Sequence, residues 1–269
     1  MEEKLLQMKS LVERLNQASD SYYNGKGELM TDYEWDALFD QLKRLEEETG
    51  EILPDSPTNR VSEDSIVGKK EEHEFAALSL AKTKQVSDLV KWAEDRPIWI
   101  SWKLDGLTLV VTYDGGKLTK IVTRGNGHIG TNITHLAPAI SGIPATISEK
   151  GHLVVRGEAV ISYADFEQFI IESEGDYANP RNLASGSLTL KDIEEVKQRH
   201  IQWIPFTLVY TERELTSWGE RMQMLKDLGM NPVERERIDH PTTENIQLEI
   251  DKFTEKVTSK KNPFQIGRA

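Results

Sequence analysis

Leu107-Thr108-Leu109-Val110-Val111-Thr112-Tyr113-Asp114-Gly115-Gly116-Lys117-Leu118-Thr119-Lys120-Ile121-Val122-Thr123 decides the fold. Two runs rich in β-branched residues flank an Asp-Gly-Gly turn, and such residues suit a pleated, half-buried surface. Paired glycines accept the positive φ of a tight connection, so the stretch predicts an antiparallel hairpin. Working outward, Pro97–Trp102 reads as a strand before it, and Leu153–Ile161 and Ile201–Tyr210 as strands after it. Helical spacing appears at Tyr163–Ser173, Thr216–Leu228 (closed by Gly229) and Thr243–Ser259. Strands grouped in hairpins with helices interspersed predict an α+β fold with antiparallel sheets and flanking helices.

The N-terminal quarter has a different texture. Leu5, Met8, Leu11, Val12 and Leu15 recur at helical spacing, which predicts an amphipathic helix over 3–19. Tyr22-Tyr23-Asn24-Gly25-Lys26-Gly27 then reads as a loop. Thr31 and Glu34 form a capping-box pair, and Trp35, Leu38, Phe39, Leu42 and Leu45 line one face of a second helix. This helical hairpin ends near Pro54-Asp55-Ser56-Pro57. The expected division is a small helical domain at 1–65 and a larger α+β domain at 66–269.

Composition narrows the function. The 269 residues hold 33 Lys and Arg against 45 Asp and Glu, a net charge of −12, so the chain has no basic excess of the kind that binds DNA non-specifically. The sequence contains no Cys, which removes disulfides, thiol nucleophiles and Cys-ligated zinc from these residues. No run approaches a membrane span and the N-terminus has no apolar signal core, so a soluble, cytoplasmic chain without a membrane partner is expected. No Gly-x-Gly-x-x-Gly joins a strand to a helix, which disfavours a dinucleotide-binding dehydrogenase. No metal-ligand set is read from the sequence.

Four stretches carry chemistry. In Ser101-Trp102-Lys103-Leu104-Asp105-Gly106, extended backbone would put Lys103 and Asp105 on one face and Trp102 and Leu104 on the other. A lysine is a nucleophile only as the free amine. Thr123-Arg124-Gly125-Asn126-Gly127 sets an Arg among glycines, where a ligand can approach the backbone closely. Arg156-Gly157-Glu158 places a carboxylate on a β-rich run, able to accept from ribose hydroxyls. Ala178-Asn179-Pro180-Arg181-Asn182, continuing through Ser187-Leu188, reads as a loop of small residues around an Arg.

In order and spacing these stretches resemble the nucleotidyltransferase, or adenylation, domain of bacterial NAD+-dependent DNA ligases. Ala77-Leu78-Ser79-Leu80-Ala81-Lys82 resembles the segment there that frames the adenine. Tyr22-Tyr23, Asp32-x-x-Trp35-Asp36 and Pro54-Asp-Ser-Pro57 resemble the helical domain found only in the NAD+-using branch. The resemblance implies that Lys103 attacks the α-phosphate of NAD+, releases nicotinamide mononucleotide (NMN) and holds AMP, with Mg2+ as the accompanying cation. It implies that Asp105 supports the nucleophile, that Arg124 and Glu158 grip the AMP ribose, and that Arg181 lies near the phosphates. Ser79 and Leu80 would frame the base, and Tyr22, Tyr23, Asp32, Trp35 and Asp36 would bind the NMN half. An aromatic face with nearby carboxylates suits the cationic nicotinamide.

The sequence departs from the family pattern at several places. Ser101 stands where the family has a Glu that reads adenine, and Thr189 where it has a basic residue. Asn126 replaces an Asp, and Thr131-Asn132 an acidic pair. The sequence reaches Pro263-Phe-Gln-Ile-Gly-Arg-Ala269 where the family continues into further strands, an OB fold, a zinc module, helix–hairpin–helix units and a BRCT domain. The expectation is an adenylating monomer that meets nicked duplex DNA in the full-length family context, but weakly if at all by itself, with no nick sealing by these residues alone. The alternative is a degenerate homologue that binds NAD+ without ligase chemistry, motivated by Ser101 and Thr189.

Overall fold

A computed structural model of the chain describes residues 2–23, 29–58, 68–78, 81–173 and 177–267. The N-terminal part is a helical hairpin. Helix α1 (Glu2–Tyr23) and helix α2 (Asp32–Thr49) pack through Met8, Leu11, Val12, Leu15, Leu42 and Leu45. Thr31 caps α2 with the reciprocal Glu34 contacts that the sequence predicts, and Gly50 closes it in the left-handed conformation. Helix α1 is longer than expected: Tyr22 and Tyr23 are its last turn and not the start of a loop. Local propensity leaves such a turn undecided. After α2, Ser56 is fully buried, and it donates to Glu46 Oε1 at 2.5 Å while Thr58 donates to Oε2 at 2.7 Å.

The rest is α+β. Strands β3 (Leu107–Asp114), β4 (Lys117–Thr123), β6 (Leu153–Val160) and β7 (Gln202–Thr211) form an antiparallel sheet in the order β4-β3-β6-β7. The expected hairpin is β3–β4, with Gly115 and Gly116 both at positive φ. Two smaller antiparallel pairs flank the sheet: β1 (Lys70–Glu72) with β5 (Ile129–Thr131), and β2 (Ile98–Ser101) with β8 (Arg235–Ile238). Helices α4 (Tyr163–Ser173), α7 (Trp218–Asp227) and α8 (Thr243–Thr258) lie where the periodicity puts them. Helix α3 (Val86–Ala93), α5 (Pro180–Ser187) and α6 (Ile193–Lys197) are additional to that reading.

The pleat sorts the sheet into two faces. Leu107, Leu109, Val111 and Tyr113 of β3, with Leu153, Val155 and Ala159 of β6, face the main core with Leu183, Ala184, Trp203, Met222 and Leu225. Thr108, Arg156 and Glu158 therefore face the other way. No helix among the described residues is long and apolar enough to cross a membrane.

Candidate functional site

The site is built around the N-terminal end of β3. Just before it, Trp102 and Leu104 pack into a small cluster with Val160, Val233, Phe264 and Ile266, while Lys103 is exposed and Asp105 turns to the other side. The alternation expected from the sequence thus holds. Leu104 bridges Ile266 in antiparallel register, with Asp105 N donating to Gln265 O at 2.9 Å and Gly267 N to Lys103 O at 2.7 Å. Lys103 Nζ reaches over Gly267 closely enough that a Cβ there would collide with it. At Gly106 a Cβ would strike the Ala159 carbonyl, so only Gly lets this segment lie against β6.

That close approach places Glu158 under the turn. Its Oε1 accepts from Gly106 N at 3.1 Å and its Oε2 from the Thr108 hydroxyl at 2.8 Å. Burial pushes the Glu158 carboxyl above the usual range, against the pull of Arg181 and of its two donors. Arg181 donates to Asp105 Oδ1 at 2.7 Å in an ion pair whose side chains are 17% and 14% exposed. Gln265 Nε2 donates to the other Asp105 oxygen at 3.0 Å.

Arg181 reaches Asp105 because the segment read as a loop is helix α5. Asn179 caps it by accepting from Asn182 N at 2.9 Å, Pro180 enters its first turn, and Leu183 and Ala184 are fully buried. Small residues suggest a loop in isolation, but here they let the helix lie close against the sheet.

Arg124 follows β4, and its backbone N–H donates to Thr108 O at 2.9 Å. Its Nε donates to the Ala77 carbonyl at 3.0 Å. Burial lowers the His73 pKa, and the neutral ring donates from Nε2 to the Arg124 carbonyl at 3.0 Å. Asp105, Arg181 and Glu158 thus gather around the Gly106 turn, with Lys103 exposed just before it, while the Arg124 side chain turns to the Ala77 carbonyl. Ser79 and Leu80 fall outside the described residues, as do the side chains of Tyr22, Tyr23 and Asp32. Trp35 stacks on Phe39 at 4.9 Å and donates its indole N–H to the Leu15 carbonyl (3.3 Å) and the Ser19 hydroxyl (3.2 Å), so it is part of the hairpin's packing. Asp36 pairs with Lys84 at 3.7 Å.

The departures have local explanations. Asn126 Oδ1 accepts from His128 N and Ile129 N at 3.0 and 2.8 Å, a turn role that Asp fills equally well. Asn132 Oδ1 accepts from Thr134 in the same manner. Thr189 donates to the Gly186 carbonyl at 2.6 Å at the end of α5, and Ser101 lies opposite Arg235 in the β2–β8 register. Sequence reasoning missed Thr108 and Gln265. Thr108 was recoverable from its cross-strand pairing with Glu158, whereas nothing local marks Gln265.

The family model of the NAD-dependent DNA ligase adenylation domain matches residues 69–266, and that of the DNA ligase-like, N-terminal NAD+-binding domain matches residues 1–62. The chain belongs to the NAD-dependent DNA ligase family. A DNA ligase of Lachnoclostridium phytofermentans is 39% identical over 259 residues, covering 94% of this chain and 39% of that protein. One of Ruminiclostridium cellulolyticum is 38% identical over 269 residues, covering 98% of this chain and 40% of that one. The chain spans about two fifths of the length of these curated ligases. A solved chain described as Pmar-Lig_Pre. overlays 86% of this one at 16% identity and a TM-score of 0.41, too weak a likeness to assign individual residues. The α+β reading and the NAD-dependent ligase resemblance both stand.

Proposed function

We propose that this chain performs the NAD+-dependent adenylation half of the ligase reaction, with Lys103 as the nucleophile. The observation that carries the reading is the convergence of an exposed Lys103, the Asp105–Arg181 pair and the buried Glu158 around one glycine turn. Lys103 as the free amine offers its lone pair to the α-phosphorus of NAD+. A nitrogen–phosphorus bond forms, the phosphorus–oxygen bond to NMN breaks with its electron pair leaving on the NMN phosphate, and the amine proton passes to solvent. Asp105, fixed by Arg181 and Gln265, supports the nucleophile, and Arg181 offers positive charge to the phosphates. Glu158 accepts from a ribose hydroxyl, Arg124 lies beside the ribose, and Ser79 and Leu80 border the adenine. Tyr22, Tyr23, Asp32, Trp35 and Asp36 receive the NMN half.

The division we propose is an NMN-binding unit at 1–65 and an adenylation unit at 66–269. Among the described residues no group of three or more His, Asp or Glu side chains gathers to hold a metal ion. Mg2+ would enter with the NAD+ phosphates and supply positive charge to them. Nicked duplex DNA is the partner proposed in the full-length family context, bound weakly if at all by this chain, which is proposed to be a cytoplasmic monomer.

The test is a mass spectrum of the purified chain after incubation with NAD+ and Mg2+. An AMP adduct mapping to Lys103 is expected, absent in Lys103→Ala and also in Lys103→Arg, whose guanidinium stays protonated. An adduct surviving in Lys103→Ala overturns the assignment. NAD+ bound without any adduct would favour the second reading, a non-catalytic homologue, which Ser101 and Thr189 motivate because they supply neither carboxylate nor cation.

A further inference from the structure

Lys103 sits on backbone that belongs to no strand, between two anchors. Strand β2 ends at Ser101 and β3 begins at Leu107. After the lysine, Leu104 bridges Ile266, and Gly267 N donates to Lys103 O at 2.7 Å. Before it the anchor is Trp102, half-buried, whose indole N–H donates to Glu234 Oε2 at 2.8 Å. Glu234 directly precedes β8 and stands opposite Trp102 by continuation of the Ser101–Arg235 register. Its other oxygen accepts from Lys256 in the last turn of α8. The Trp102 ring tilts onto the buried Phe253 of α8 at 4.4 Å, and Lys256 lies over the same Phe253 ring at 5.1 Å. Burial opposes ionisation of Glu234, yet the Lys256 ammonium and the Trp102 indole hold its carboxyl below the usual range. Two elements outside the main sheet, β8 and α8, thus close on the side chain next to Lys103. The Glu234 and Lys256 side chains are 47% and 34% exposed, a setting in which an ion pair adds little to stability. What the arrangement fixes is geometry, because a carboxylate already tied to α8 admits the indole in one orientation.

We propose that Glu234 is a positioning residue for the nucleophile: acting through the Trp102 indole, it holds the backbone at Lys103 and thereby the reach of the amine. The inference rests on the adenylation reading above. Among the described residues Glu234 hydrogen-bonds to Trp102 and Lys256, and to none of Asp105, Glu158 or Arg181. Its loss therefore belongs in the chemical step, where a small misplacement of a reacting atom is felt, and not in NAD+ binding.

The experiment measures self-adenylation kinetics of the full chain as wild type, Glu234→Ala, Glu234→Gln, Trp102→Phe and the Trp102→Phe/Glu234→Ala double variant, with hydrogen exchange at Asp105 and Gly267. Both amides donate across the Leu104–Ile266 bridge, so they report the backbone on which the lysine sits. In Glu234→Ala the rate at saturating NAD+ should fall about tenfold, the effect of losing one hydrogen bond to a charged acceptor. KM should be nearly unchanged, and both amides should exchange faster. Glu234→Gln, whose amide oxygen still accepts from the indole, should keep most of the rate. Trp102→Phe should lose as much as Glu234→Ala, and the double variant no more than either, since Glu234 acts only through the indole. An unchanged saturated rate in a folded Glu234→Ala, a change confined to KM, or a Glu234→Gln rate no better than that of Glu234→Ala overturns the proposal. Losses that multiply in the double variant, or unchanged exchange at Asp105 and Gly267, overturn it equally. Should wild-type chain form no adduct, the adenylation reading fails, and the exchange data alone decide whether Glu234 holds Lys103. Should Glu234→Ala not fold, Trp102→Phe carries both readouts.

Discussion

Glu158 is held between two opposing demands. Nearly full burial favours its neutral form, while a ribose hydroxyl would need it as an acceptor. Because the folded-state pKa is raised, the unfolded chain ionises first as pH increases. The folded state then binds more protons than the unfolded one, so this group's contribution to stability is full below the ordinary carboxylate range and is lost as pH rises through the raised value. Glu158→Gln removes that slope, with the Thr108 hydroxyl free to reverse and accept from the amide. Denaturant titrations should show the variant gaining on wild type as pH rises above the ordinary carboxylate range, while adduct formation from NAD+ falls. A variant whose stability tracks wild type at every pH would refute the account. The stability gained and the activity lost would come from the same atom.

At the level of elements, α5 decides whether Arg181 meets Asp105. Asn179→Ala removes the cap and should cost about 1 kcal/mol of stability. It should also slow adenylation by loosening the Asp105–Arg181 pair, and wild-type adenylation in a measurably destabilised variant would sink that link. The same helix shows what local sequence could and could not tell. Capping chemistry at Thr31 and apolar periodicity in α4, α7 and α8 were legible because each is written within a few residues. Ala184-Ser185-Gly186-Ser187 was not, since its helix is stabilised by the sheet beneath it. Lys103, Asp105, Arg124, Glu158 and Arg181 each stand in a short motif that can be picked out locally, but Trp35's engagement with α1 and Gln265's hold on Asp105 depend on contacts between distant segments.

For the whole molecule, the helical hairpin and the sheet have separate cores. The Asp36–Lys84 pair between the two parts is largely exposed, and such pairs contribute little. Removing residues 1–65 should therefore leave the cooperative unfolding of the remainder in place. NAD+ affinity should nevertheless fall, by roughly tenfold for each 1.4 kcal/mol that the NMN half gains from the hairpin. A truncated chain that forms adduct at wild-type NAD+ concentrations would show that residues 1–65 are not the NMN-binding unit.

The antiparallel bridge between Leu104 and Ile266 has a consequence in time. Asp105 is completed on one side by Gln265, 160 residues further along the chain. Synthesis at about 5–20 residues per second delivers that partner roughly ten to thirty seconds after the lysine itself has left the ribosome. During that interval Lys103 and Asp105 lack the segment that pairs with them, so the turn between them and β3 is completed only once residues 265–267 have been made.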